Sequence, residues 1–150
     1  MARLEYRLFD EANGFPVVYY YDRIGKAEIA TRMCCDYFVK EGKIYEKTST
    51  AIDAGVYVIY VQLAEDEQIV DPTQKAEWKT IRIELREYKE DTDYYPVIHT
   101  YEFRDEMEAL LHMQSQFLYL YGKEWEKTSA EIDEDRKVYV WYATGNPMGG

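Results

Sequence analysis

Two cysteines and two histidines are all the thiol and imidazole this 150-residue sequence contains. Cys34 and Cys35 are adjacent, and neighbouring cysteines rarely bridge each other, so both are expected to be reduced thiols. There is no C-x-x-C redox motif, and neither cysteine has the two further ligands that zinc requires. His99 and His112 have no H-x-x-x-H companion. The acidic clusters at 65–67, 90–93 and 131–135 lack the spacing of a calcium loop. No metal and no cofactor is therefore expected. Catalytic signatures are missing as well, with no G-x-S-x-G, no H-E-x-x-H and no glycine-rich dinucleotide fingerprint. The chain is accordingly expected not to be an enzyme, and no catalytic residue is assigned.

Long apolar runs are absent, so no membrane span and no membrane partner is expected. The opening stretch MARLEYRLFDE has no apolar h-region, which leads to the expectation of a cytoplasmic protein. Positive charge is scarce: 18 basic residues face 29 acidic ones, a net charge of −11. That balance works against phosphate backbones, so nucleic acid is not an expected partner. A hydrophobic fraction of 47% excludes a wholly disordered chain.

What the chain does contain is a duplication. Residues 42–53 read GKIYEKTSTAID and residues 122–133 read GKEWEKTSAEID, identical at eight of twelve positions with a constant offset of 80. The offset holds upstream, where Phe15-Pro16-Val17-Val18 aligns with Tyr95-Pro96-Val97-Ile98 and Met33 with Met113. At the first strand an offset of 77 aligns Leu4, Tyr6 and Leu8 with Ile81, Ile83 and Leu85. Downstream the offset becomes 82, pairing Val56-Tyr57-Val58 with Val138-Tyr139-Val140. Insertions confined to turns are what a duplicated structural unit tolerates. Two copies argue for a pseudo-twofold domain rather than an open solenoid, which needs about three repeats.

Within a copy, alternating residues from Leu4 to Leu8 predict a half-buried strand, and Asn13-Gly14 a hairpin turn. Phe15 to Tyr21 predicts a second strand. Asp22 is placed to cap a helix over about 24–40, with Ile29, Ala30, Met33, Cys34, Tyr37 and Phe38 on one stripe. Gly42 is expected to close that helix in a left-handed conformation. Lys43 to Asp53 and Val56 to Leu63 follow as strands. The second copy repeats this, with Asp105 capping a helix whose stripe is Met107, Leu110, Leu111, Gln114, Phe117, Leu118 and Tyr121, closed by Gly122. The expected fold is α+β, two ββαββ units related by pseudo-twofold symmetry, with a mostly antiparallel sheet and one long helix per repeat. The repeats are assigned to 1–63 and 79–143, joined by a linker at 64–78 and followed by a flexible tail at 144–150. Together they are expected to form one compact domain.

The repeated G-K…K-T-S element invites a phosphate-binding reading. In a Walker A loop, however, the lysine and hydroxyl lead into a helix, whereas here a β pattern follows. A strand lined by Lys, Thr and Ser is the simpler reading. Tyrosine is the outstanding component: sixteen occur, beside three tryptophans. Tyrosine tolerates half-exposure because its hydroxyl can stay wet. Tyr19, Tyr57, Tyr139 and Trp141, with Lys47 and Lys127, make up the candidate binding surface. The favoured function is a non-enzymatic macromolecule-binding module with another protein as partner, itself a monomer. The alternatives are a small-molecule binding protein with an aromatic pocket between the halves, and an acidic nucleic-acid mimic.

Overall fold

A computed structural model describes residues 1–65, 80–92 and 94–147. Most of the expected linker, with Ile69, Val70 and Trp78, lies outside the described residues. The first half runs β1 (Ala2–Leu8), β2 (Val17–Ile24), α1 (Lys26–Met33), β3 (Tyr37–Lys40), β4 (Lys43–Asp53) and β5 (Val56–Leu63). The second runs β6 (Ile81–Glu87), β7 (Val97–Phe103), α2 (Glu106–Gln114), β8 (Phe117–Leu120), β9 (Lys123–Asp133) and β10 (Val138–Pro147).

The expectation of one long helix per repeat is corrected here. The helices are short, 8 and 9 residues, and the fold is dominated by a 10-stranded mixed sheet. Each half is ββαβββ, because the part assigned to the end of each helix is a strand. Tyr37-Phe38-Val39 are aromatic and β-branched residues that suit a pleated surface. As a strand they turn Phe38 into the core, where its ring stacks on Tyr6 with centroids 3.9 Å apart. A short apolar run fits both periodicities, and tertiary burial decides between them.

The glycines follow the same logic. Gly42 and Gly122 have positive φ, at 73° and 71°, and are preceded by Glu41 and Tyr121 at 54° and 53°. Two consecutive left-handed residues form the two-residue turn of a hairpin. These glycines thus join β3 to β4 and β8 to β9, and do not close helices.

The sheet order is β2-β1-β5-β4-β3-β9-β10-β6-β7, with β8 also paired to β9. Three pairings are parallel: β1 with β5, β6 with β10, and β3 with β9. Reading outward from the junction, the arrangement 3-4-5-1-2 of the first half recurs as 8-9-10-6-7 in the second. Leu4 pairs with Tyr57 while Ile83 pairs with Tyr139, so β1 and β6 correspond at an offset of 79, not 77. Thr144 to Pro147, expected in the tail, extend β10 alongside β9.

Both helices lie on one sheet face and pack against each other. Ile29, Ala109 and Met113 meet Leu4, Tyr6, Phe38, Tyr45, Leu85, Trp125 and Trp141 in a single core. Most of the buried aromatic mass therefore faces the helices. The opposite face carries charge: Arg7 bonds Glu5 at 2.8 Å, and its counterpart Arg86 bonds Glu84 at 2.9 Å. Arg136 reaches both Glu84 and Asp133. Among the described residues, no helix is long and apolar enough to cross a membrane.

Candidate functional site

The element that occurs twice proves to be a structural device. Lys47 donates from Nζ to the carbonyl of Met33 at 2.7 Å, and Lys127 to that of Met113 at 2.8 Å. Each lysine thus satisfies an orphan carbonyl at a helix C-terminus, where positive charge also complements the helix dipole. The next residue, Thr48 or Thr128, occupies a break in strand register and donates its hydroxyl to the backbone carbonyl of Tyr60 or Tyr142. Lys127→Met should lower stability by about 1–2 kcal/mol in urea titrations. A loss below about 0.3 kcal/mol would mean that solvent serves the carbonyl equally well.

The aromatic candidates do not share one surface. Tyr19 on β2 is half-buried, edge-on to Phe38 and Tyr45, with its hydroxyl donating to Glu41 at 3.1 Å. Tyr57 on β5, in the same half, packs against the core two strands away from β2. Trp141 is fully enclosed in the core. Tyr139 lines a cleft.

That cleft, of about 440 Å³, lies where the two halves meet. Tyr21 from β2 and Glu28, Thr31 and Arg32 from α1 form one wall. Arg82, Glu106 and Ala109, with Ile132, Glu134, Lys137 and Tyr139, complete it from the second half. Its centre is an ion network. Arg32 is hydrogen-bonded to Glu134 across the junction, to Glu28 at 3.2 Å and to the Tyr6 hydroxyl at 3.2 Å. Glu134 also accepts from Tyr21 at 2.9 Å and pairs with Lys137 at 3.2 Å.

Two residues present only in the longer β9–β10 turn make this junction. Glu134 reaches Arg32, and Asp135 accepts from the backbone N–H groups of Glu41 and Gly42 at 2.7 and 2.9 Å. The shorter β4–β5 turn, Ala54-Gly55, has no such carboxylates. The arrangement is consequently one-sided. β3 pairs with β9, Asp36 accepts from the Ala130 N–H at 2.9 Å, and the Glu134 backbone N–H donates to the Val39 carbonyl at 2.8 Å. The reciprocal pairing, β8 with β4, is absent among the described residues.

Exposure records the difference. Thr31, Val39 and Ile132 are 2%, 1% and 5% exposed, while their counterparts Leu111, Tyr119 and Ile52 are 58%, 63% and 69% exposed. Met107 on α2 and Phe117 on β8 are exposed as well, with Tyr121 in the turn that follows β8. His112 takes the place of Arg32; burial pushes its imidazole down to about 4, which leaves it neutral at pH 7. Sequence reasoning missed this open side. The signal was the change of offset from 80 to 82, which marks the turn that clamps one side only.

The Cys35 thiol is buried and donates to the Thr31 carbonyl at 3.5 Å, and burial raises the pKa of both Cys35 and Cys34. Neither is therefore an activated nucleophile. Among the described residues, no three His, Cys, Asp or Glu side chains are grouped to hold a metal ion. The fold and site define a class only, a duplicated ββαβββ protein with one mixed sheet and a half-open junction. No protein-family model, curated protein or solved structure matches the chain significantly.

Proposed function

We propose that this chain is a non-enzymatic protein-binding module, and that it binds through the open side of the junction. The observation that supports this reading is the exposure of Ile52, Leu111 and Tyr119 where the matching positions of the other half are buried. Large apolar side chains left exposed where the other half buries its counterparts mark an interaction site. Tyrosine at such a site offers large contact area at low entropic cost.

The doubly substituted chain Ile52→Lys, Tyr119→Lys tests the proposal. Both side chains are exposed, so its stability should match the parent within about 0.5 kcal/mol. Affinity retention from a cell extract, quantified for parent and variant side by side, should show a discrete protein held by the parent and lost from the variant. Identical retention by both would overturn the reading.

The cleft supports a second reading, a small-molecule binding protein, because Tyr21 and Tyr139 flank fixed charges of both signs there. A ligand held in that place would be insensitive to Ile52→Lys and sensitive to replacement of Tyr139.

A further inference from the structure

Resting on that reading, we infer that the partner enters as an extended segment that adds to β4 as a parallel strand, taking the seat on β4 that β3 takes on β9. The chain carries the template for this contact. Tyr37, Phe38 and Val39 lie in parallel register with Glu131, Ile132 and Asp133. The Asp36 N–H donates to the Ala130 carbonyl at 2.7 Å, and the Ala130 N–H donates to the Asp36 side chain. Ala130 thus points both of its backbone groups at the added strand, and by alternation so does Ile132.

β4 is built to the same pattern. It pairs with β5 from Ser49 to Asp53 as β9 pairs with β10, and its register breaks at Thr48 as that of β9 breaks at Thr128. Thr50 and Ile52 therefore turn their N–H and carbonyl groups to the free edge. β3 covers β4 only as far as Glu46, so beyond that point the edge has no strand beside it among the described residues. Natural edges are usually blunted by lysine, proline or a bulge. From Ser49 to Ile52 there is neither charge nor proline, and the edge is a formed strand held from behind by β5. The bulge at Thr48 and the charge of Asp53 bound this edge at its two ends, and the uncharged stretch between them is the template for strand addition.

The guest's chemistry follows from what flanks the edge. Ile52 points to the helix face, as Ile132 does, and Leu111 corresponds to Thr31, which shares the cleft wall with Ile132. A guest side chain directed to that face is apolar. The net charge of −11 favours basic flanks and disfavours a second copy of the same chain. The occupant is thus an alternating apolar segment of another protein with lysine or arginine at its ends, similar to Tyr37-Phe38-Val39-Lys40 of this chain.

The test uses the full chain and a lysine-flanked synthetic peptide containing Asp36-Tyr37-Phe38-Val39-Lys40. Amide exchange is followed residue by residue, with sedimentation in parallel. Saturating peptide should slow exchange at Thr50 and Ile52 by about tenfold or more, and Ile52→Lys should abolish that protection. A peptide of the same composition with its alternation scrambled should protect neither amide. If the two amides stay unprotected while Ile52→Lys, Tyr119→Lys still loses its protein partner, strand addition is wrong and the protein-binding function stands. If neither effect is seen, both readings fall. Protection that appears without peptide and tracks a dimer in sedimentation would assign the edge to a second copy and overturn the inference.

Discussion

Arg32→Met is expected to lower stability by about 3–5 kcal/mol, since it leaves the buried Glu134 carboxylate without its main counter-charge. Burial by itself would raise the pKa of Glu134. The charge of Arg32 and its hydrogen bond, joined by those of Tyr21 and Lys137, instead hold it at about 2, below the ordinary 4.5. A folded-state pKa below the unfolded one contributes stability that is complete above about pH 4.5 and lost as pH falls towards 2. The variant should therefore lose stability at pH 7 and show a shallower decline in acid. Arg32→Met combined with Glu134→Leu should recover much of the loss, because replacing both members of a buried pair by apolar groups is often nearly neutral. Urea titrations of the three chains at pH 7 and pH 3 separate these outcomes. A loss under about 1 kcal/mol for Arg32→Met at pH 7 would show that water solvates Glu134 and that the pair does not hold the halves together.

Glu131→Gln should act in the opposite direction, raising stability at pH 8 by about 1–3 kcal/mol. Burial, reinforced by the neighbouring Asp133 charge, pushes the Glu131 carboxyl up to about 7. The Tyr142 hydroxyl at 3.1 Å and the charges of Arg136 and Arg86 oppose this without reversing it. Here the folded-state pKa lies above the unfolded one, so the neutral carboxyl's contribution is complete below about pH 4.5 and is lost as pH rises through 7. Glutamine keeps an oxygen for Tyr142 and carries no charge. The advantage of the variant should therefore be large at pH 8 and shrink by pH 5. An equal difference at both values would mean that Glu131 is not charged in the folded protein at pH 8, or that burying its charge costs nothing.

Much of the chain's organisation is legible in residue order, because it depends on short-range rules. The offset of 80 and the restriction of length changes to turns need only the sequence. So does the demand for left-handed backbone at Gly42 and Gly122, since glycine enters that region without a steric penalty. The alternation from Leu4 to Leu8 shows which residues share a face. It does not distinguish register offsets of 77 and 79, because a shift of two residues leaves every side chain on the same face.

The remaining features depend on contacts between residues far apart in the chain. Tyr37 to Lys40 are a strand because Phe38 stacks on Tyr6 and β9 supplies a parallel neighbour, neither of which local periodicity contains. Lys47 and Lys127 serve helix ends fourteen residues upstream, a link that appears only once the strand folds back beneath the helix. Trp141 became core while Ile52 stayed at the surface, although both belong to strand patterns of similar hydrophobicity. Burial at the junction depends on whether a turn is long enough to bring Glu134 and Asp135 across it, so two added residues in one copy make equivalent sequences inequivalent in space.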